Sequence, residues 1–253
     1  MRKYTIISAC ALACLTMRAA ELDGIRFAGY ASKAVPGGFT ILAVPFSGFD
    51  AASYASTNLS LDAVLSKSGL AEGDRLIAFN ESTKDYFYYE LTSGAWDPLD
   101  VVDVSPEDST NHVVNAPALS TITKAQGYAF WLKTANPATV YLQGVVNTNA
   151  TTVSVAANGL TLLGNALPTA LDLNESGFKA DNGWFTDGPP GIGDEIHVVN
   201  GTGYTKNVFF SGNWKRVEQT PSNTVFTADA ATIPAGSGVW YNRRGASATF
   251  TLK

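Results

Sequence analysis

Apolar and polar positions along the chain alternate with the period of two expected of strands, and the stretches that keep the period are short. Residues 195–200 place Ile196 and Val198 on one face and His197 and Val199 on the other. Residues 75–80 read the same way, and residues 85–92 are rich in aromatic side chains that suit a pleated surface. The pairs Ser93, Gly94 and Ser211, Gly212 are turn signals between strands. Further strands are expected over 128–133, 138–143, 239–243 and 248–252. One stretch departs from this pattern: residues 61–68 read as a helix, with Ser60 placed to cap it and Gly69 to stop it.

The same landmarks occur twice, in the same order. Gly38, Phe39, Thr40, Ile41, Leu42 and Pro45 match Gly159, Leu160, Thr161, Leu162, Leu163 and Pro168. Leu61 and Asp62 match Leu171 and Asp172, Gly69 matches Gly177, and Gly73, Asp74 and Asn80 match Gly193, Asp194 and Asn200. Tyr86 matches Tyr204, and Ser93, Gly94 and Trp96 match Ser211, Gly212 and Trp214. Ile122 and Gly127 then match Ile233 and Gly238, and Ala138, Thr139, Val140 and Leu142 match Ala248, Thr249, Phe250 and Leu252. The expected fold is therefore all-β: two tandem homologous units from an internal duplication, over residues 21–144 and 145–253. Each unit is expected to be a β-sandwich or partly closed β-barrel of ordinary domain size.

Residues 1–20 read as a secretory signal, with basic Arg2 and Lys3, an apolar run over 4–15, and small Ala19 and Ala20 before the expected cleavage. The run is shorter than the roughly 20 residues that span a bilayer. The chain is therefore expected to be secreted or held in the cell envelope, and not transmembrane once the signal is removed. Ile7, Ser8, Ala9 and Cys10 resemble a lipobox, but Cys10 comes too early to leave an adequate apolar stretch before it. Both cysteines, Cys10 and Cys14, fall in the signal, so no disulfide or thiolate metal site is expected in the remainder.

The composition, 45% hydrophobic and 15% charged, is that of a packed globular chain. Net charge is −5, and beyond residue 20 it becomes 14 basic against 22 acidic residues, or −8. Nucleic acid would call for clustered Lys and Arg, which the sequence lacks, and it is not an expected partner.

Candidate chemistry lies where the two halves diverge, because shared landmarks are most simply structural. The second half carries twelve extra residues between Gly177 and Gly193, containing Asp181, Asn182, Trp184, Phe185 and Asp187. An aromatic pair flanked by polar groups can stack on a sugar ring and hydrogen-bond its hydroxyls, although loops of this kind also anchor themselves with their own aromatics. The first half carries seven extra residues between Trp96 and Ile122, a stretch with Asp97, Asp100, Asp103, Glu107, Asp108 and His112. Its carboxylates could gather around calcium, but their spacing matches no calcium loop and a solvated acidic loop is the simpler reading. Trp96 and Trp214 are expected to cover the sheet, and Asp74 and Asp194 to make local turn hydrogen bonds. No H-E-x-x-H, G-x-S-x-G, P-loop or dinucleotide fingerprint occurs. The two histidines, His112 and His197, face Asn223 and Ile77 in the other half. An enzyme is not expected, nor a cofactor other than calcium.

Taken together, the secretory signal, the Gly-x-Thr-[Ile/Leu]-Leu strand, the Gly-Asp strand, the Ser-Gly-x-Trp turn, the Ile-x4-Gly strand and the closing Ala-Thr-x-x-Leu resemble a paralogous family of secreted, uncharacterised proteins from verrucomicrobial and related bacteria. The resemblance implies export and a β-rich build, and it carries no catalytic residue over. The expected function is a non-enzymatic envelope or extracellular structural or interaction protein that presents loops on a duplicated β scaffold to a protein or glycan partner. The alternative is a carbohydrate-binding module using the loop aromatics around Trp184.

Overall fold

Runs of β-branched and aromatic residues between glycine and serine turns form strands over most of the described residues. The computed structural model describes residues 28–50, 55–81, 83–99, 101–102, 112–113, 116–146, 151–174, 185–200, 203–220, 223–227 and 232–252. The fold is all-β, built of several antiparallel sheets, and none of them closes into a barrel.

A five-stranded sheet has the order Gly38–Ala43, Ala129–Thr134, Arg75–Phe79, Tyr86–Thr92, Ala95–Pro98. A six-stranded sheet has the order Gly159–Gly164, Gly238–Arg243, Glu195–Asn200, Gly203–Phe210, Asn213–Thr220, Asn223–Thr227. Each packs one face on a smaller ladder. Ala28–Val35 with Ala138–Val145 and Leu65–Ser66 covers the first, and Thr151–Val155 with Ala248–Leu252 covers the second.

The first core joins Leu42, Leu76, Tyr89, Phe130 and Leu132 of the large sheet to Val35, Val140 and Leu142 of its ladder. The second joins Leu163, Ile196, Trp214 and Tyr241 to Val153, Val155 and Phe250. Each fully buried Leu, Ile or Phe contributes about 1.5–3 kcal/mol of transfer free energy, which is how a chain with no cysteine beyond Cys14 can hold its sheets together. Trp96 and Trp214 are both buried, as the turns before them imply.

Two local expectations are corrected. The helix expected over 61–68 is a single turn, Leu61–Val64, capped by Ser60 Oγ accepting from Ala63 N at 3.2 Å. The chain leaves it at Leu65 because Leu65 is buried and pairs with Leu142 as a third strand of the ladder. The alternation expected over 75–80 fails as well: Leu76, Ile77, Ala78 and Phe79 are all buried. The reason is a second buried face. Phe79 packs with Ile41, Ala129 and Leu162 in a third apolar cluster, to which Tyr86, Trp131, Val199 and Trp240 add.

That cluster lies where the two large sheets meet. Their outer strands also interlock by backbone: Leu42 bridges Ser237, Tyr128 bridges Leu163, Ala43 N donates to Gly236 O at 3.0 Å, and Gly164 N donates to Gly127 O at 2.8 Å. Lys33 reaches across, donating to Ala235 O at 2.9 Å and to Ser237 Oγ at 2.7 Å. Two glycines permit the approach. A Cβ on Gly164 would lie 2.4 Å from Tyr128 O, and one on Gly238 would lie 2.3 Å from Ile41 Cγ2 and 2.6 Å from Ala129 Cβ.

Candidate functional site

The loop residues singled out from sequence are not assembled into a ligand site among the described residues. Asp181, Asn182 and Trp184 lie outside them. Phe185 is 6% exposed and packs its ring against Phe209, Trp214, Tyr241 and Phe250. The expectation that it stacks on a sugar is therefore corrected: its ring belongs to the second core. Asp187 turns its carboxylate onto the Ser211, Gly212 turn, accepting from Ser211 N at 2.9 Å and Gly212 N at 2.7 Å. Glu72 does the same for Ser93 and Gly94, at 2.6 and 3.1 Å. Both turns hold two successive residues at positive φ, so their adjacent N–H groups point the same way and one carboxylate can take both. Asp187 thus anchors the Ser211, Gly212 turn.

Of the acidic stretch, Asp97 sits on the strand Ala95–Pro98 in register with Glu90, and Asp100, Asp103, Glu107 and Asp108 lie outside the described residues. Among the described residues, no three His, Cys, Asp or Glu side chains come together as metal ligands. Asp74 makes the local hydrogen bond expected of it, accepting from Ala71 N at 2.9 Å, and also accepts from Ala135 N at 3.0 Å. Asp194 instead ties distant segments together. Its Oδ2 accepts from Thr186 N at 3.2 Å, from the Tyr241 hydroxyl at 2.8 Å and from Arg243 Nη1 at 2.5 Å, while Oδ1 accepts from Arg244 N at 2.7 Å. Burial first, and then the neighbouring Asp194 carboxylate, push the Tyr241 phenol well above its ordinary range, so it stays a proton donor.

This buried network fixes the chain where Arg244 leaves the sheet, beside a cluster that sequence reasoning did not assemble. On the strand Glu195–Asn200 the alternation that sends Ile196 and Val198 into the core puts Glu195 and His197 on the opposite face. The hairpin pairs Asn200 with Gly203, which places Val199 opposite Tyr204 and His197 opposite Lys206. The Glu195 side chain is 3% exposed. It accepts from Gly191 N at 2.8 Å and meets His197 Nε2 at 3.2 Å. Lys206 Nζ and Arg244 Nη2 each stand 3.7 Å from the same oxygen, Oε2. His197 lies flat against Tyr204, ring centroids 4.9 Å apart and planes at 4°. The bond from His197 holds the Glu195 carboxyl down to about 2; burial opposes this, and Gly191 N–H and Lys206 reinforce it.

One carboxylate thus carries a histidine, a lysine and an arginine, with the lysine and arginine beyond hydrogen-bond distance. The cluster sets two cationic side chains around one buried carboxylate, with the His197 and Tyr204 rings stacked beside it. The signal that could have found it is the hairpin register: once Asn200 is paired with Gly203, the places of Glu195, His197 and Lys206 follow. The contribution of Arg244, from the far end of another strand, has no such local signal. No family model, no curated protein and no solved structure matches this chain.

Proposed function

We propose that the chain is an exported, non-enzymatic protein of the envelope or extracellular space, in which two duplicated β units, over residues 21–144 and 145–253, form one rigid scaffold that offers loops and sheet faces to a partner. The interlock between the large sheets carries this reading. Sheet faces joined through Ile41, Phe79, Leu162 and Trp240, with backbone bonds across both outer strands, hold surface groups in constant relation without a disulfide.

The registers support the duplication. Gly38 stands opposite Thr134 as Gly159 stands opposite Arg243, and Trp131 stands opposite Ile77 as Trp240 stands opposite His197. Leu91 faces Trp96 as Phe209 faces Trp214, and Val35 faces Ala138 as Val155 faces Ala248. By the same registers the counterpart of Gly238 is Ala129, two residues beyond the Gly127 that the sequence match selects. The interlock repeats this symmetry, since the Leu42 bridge to Ser237 is answered by the Leu163 bridge to Tyr128.

A binding role fits better than catalysis because the ionisable groups that meet, Glu195, His197, Lys206 and Arg244, are joined to one another around one carboxylate rather than aligned on a nucleophile. The test is to express the full chain with an epitope tag in an exporting bacterial host, fractionate the culture, and measure retention of the purified protein on isolated envelope material. Recovery outside the cytoplasm with saturable retention is the expected result. Retention in the cytoplasm, or turnover of a substrate panel by the purified chain, would overturn the reading.

A further inference from the structure

The two units differ most in chemistry along one hairpin. In the first sheet the positions matching Glu195, His197 and Lys206 are Arg75, Ile77 and Tyr88, and Arg75 is paired with Glu90 at 2.8 Å. Tyr86, the counterpart of Tyr204, is half-buried against Phe79 and Trp240 where the sheets meet. Tyr204 is instead 62% exposed, with one ring face laid on His197. A tyrosine held flat from behind presents its other face to solvent at no cost in side-chain ordering.

Lys206 lies on the same strand face as that ring, and Arg244 joins it at the Glu195 carboxylate, their side chains 31% and 35% exposed. Both converge on Glu195 Oε2 at 3.7 Å, too far to hydrogen-bond it, so the carboxylate holds their heads in place without consuming their donors. Lys206 follows Tyr204 by two residues on the same strand face, about 7 Å along it. An aromatic plane, a lysine on its strand face and a planar guanidinium drawn to the same carboxylate are the groups that match a ring with a C–H face and a charged acid substituent. A nucleic acid would need a longer track of cations than two, in a chain of net charge −5.

We propose that Tyr204, Lys206 and Arg244 form a subsite for an acidic sugar, a uronic acid residue of an anionic polysaccharide, with Tyr204 stacking on the pyranose ring and the two cations taking its carboxylate. Glu195 and His197 are positioning residues: the first gathers the cations and the second braces the ring. This rests on the partner-binding reading above and names the partner class.

The experiment is affinity electrophoresis of the full chain in gels containing polygalacturonate or neutral dextran, with hexagalacturonate titrated in solution for affinity. Retardation by polygalacturonate alone is expected, weakened by added salt. Tyr204→Ala and the double variant Lys206→Gln, Arg244→Gln should each weaken hexagalacturonate binding roughly tenfold or more, and Tyr204→Phe should retain it. Tyr204 and Arg244 are exposed and Lys206 half-buried, so a thermal midpoint that stays well above the assay temperature checks that the variants fold. Absence of binding to the acidic oligomer overturns the proposal, as does binding that survives Tyr204→Ala, which would be general charge attraction. A chain that stays on envelope material but ignores polygalacturonate overturns this inference alone, whereas one that is never exported removes the reading beneath it.

Discussion

Glu195 and Asp194 are neighbours on the chain but project to opposite sides of the second sheet, and each is tied to an arginine from the same short stretch, Arg244 and Arg243. Asp194 is fully buried and Arg243 nearly so. A buried pair of this kind adds little over an apolar substitute, but breaking it leaves a bare charge inside. Asp194→Ala should therefore cost about 3–5 kcal/mol in urea denaturation, and part of the loss should appear as a freed Tyr241 hydroxyl in ultraviolet titration. Glu195 sets an acid limit. Its carboxyl is held at about 2 against an ordinary 4.5, so its contribution is complete above pH 4.5 and is lost as the pH falls towards 2. The contribution is on the order of 3 kcal/mol. Stability measured across that window should fall steeply for the natural chain and flatten for Glu195→Gln; equal slopes would mean that the ion cluster does not hold the carboxylate.

Among the elements, the two Ser-Gly hairpins are tied by carboxylates from the preceding loops, Glu72 in one and Asp187 in the other. Removing two acceptors from an exposed turn should cost about 1–2 kcal/mol, so Asp187→Ala and Glu72→Ala should lower the thermal midpoint by similar amounts. A much larger effect at Asp187 would point to a second role for it. Most strands and both turns are legible in the sequence, because turn chemistry and side-chain type are local. Three features are not. The helix at Leu61 is cut short by a pairing to Leu142, far along the chain. Phe79 is buried by the meeting of two sheets, and a period of two cannot report a second covered face. Phe185, which reads as a loop aromatic, is drawn into a core built from strands on both sides of it. The candidate site is the same kind of case: Glu195, His197 and Lys206 follow once the hairpin register is set, but Arg244 joins them only through the folded sheet.

At the scale of the whole molecule, the contact between the sheets joins their apolar faces and outer strands, so the two cores are expected to unfold together. Tryptophan fluorescence and far-ultraviolet circular dichroism should report a single coincident unfolding transition. Gly238→Val, which drives a side chain into Ile41 and Ala129, should destabilise that transition by about 1–3 kcal/mol or separate it into two. The interlock also decides what a severed chain would do. Each half, made alone, would expose the outer edge of Gly38–Ala43 or Gly159–Gly164 together with the apolar face beside it. Because the two bridges across the contact mirror one another, a lone half offers the surface that a copy of itself can accept. Halves divided between residues 146 and 151 should thus form counterfeit homodimers or precipitate when produced separately, and when produced together should choose each other, which makes this protein a ready-made split pair.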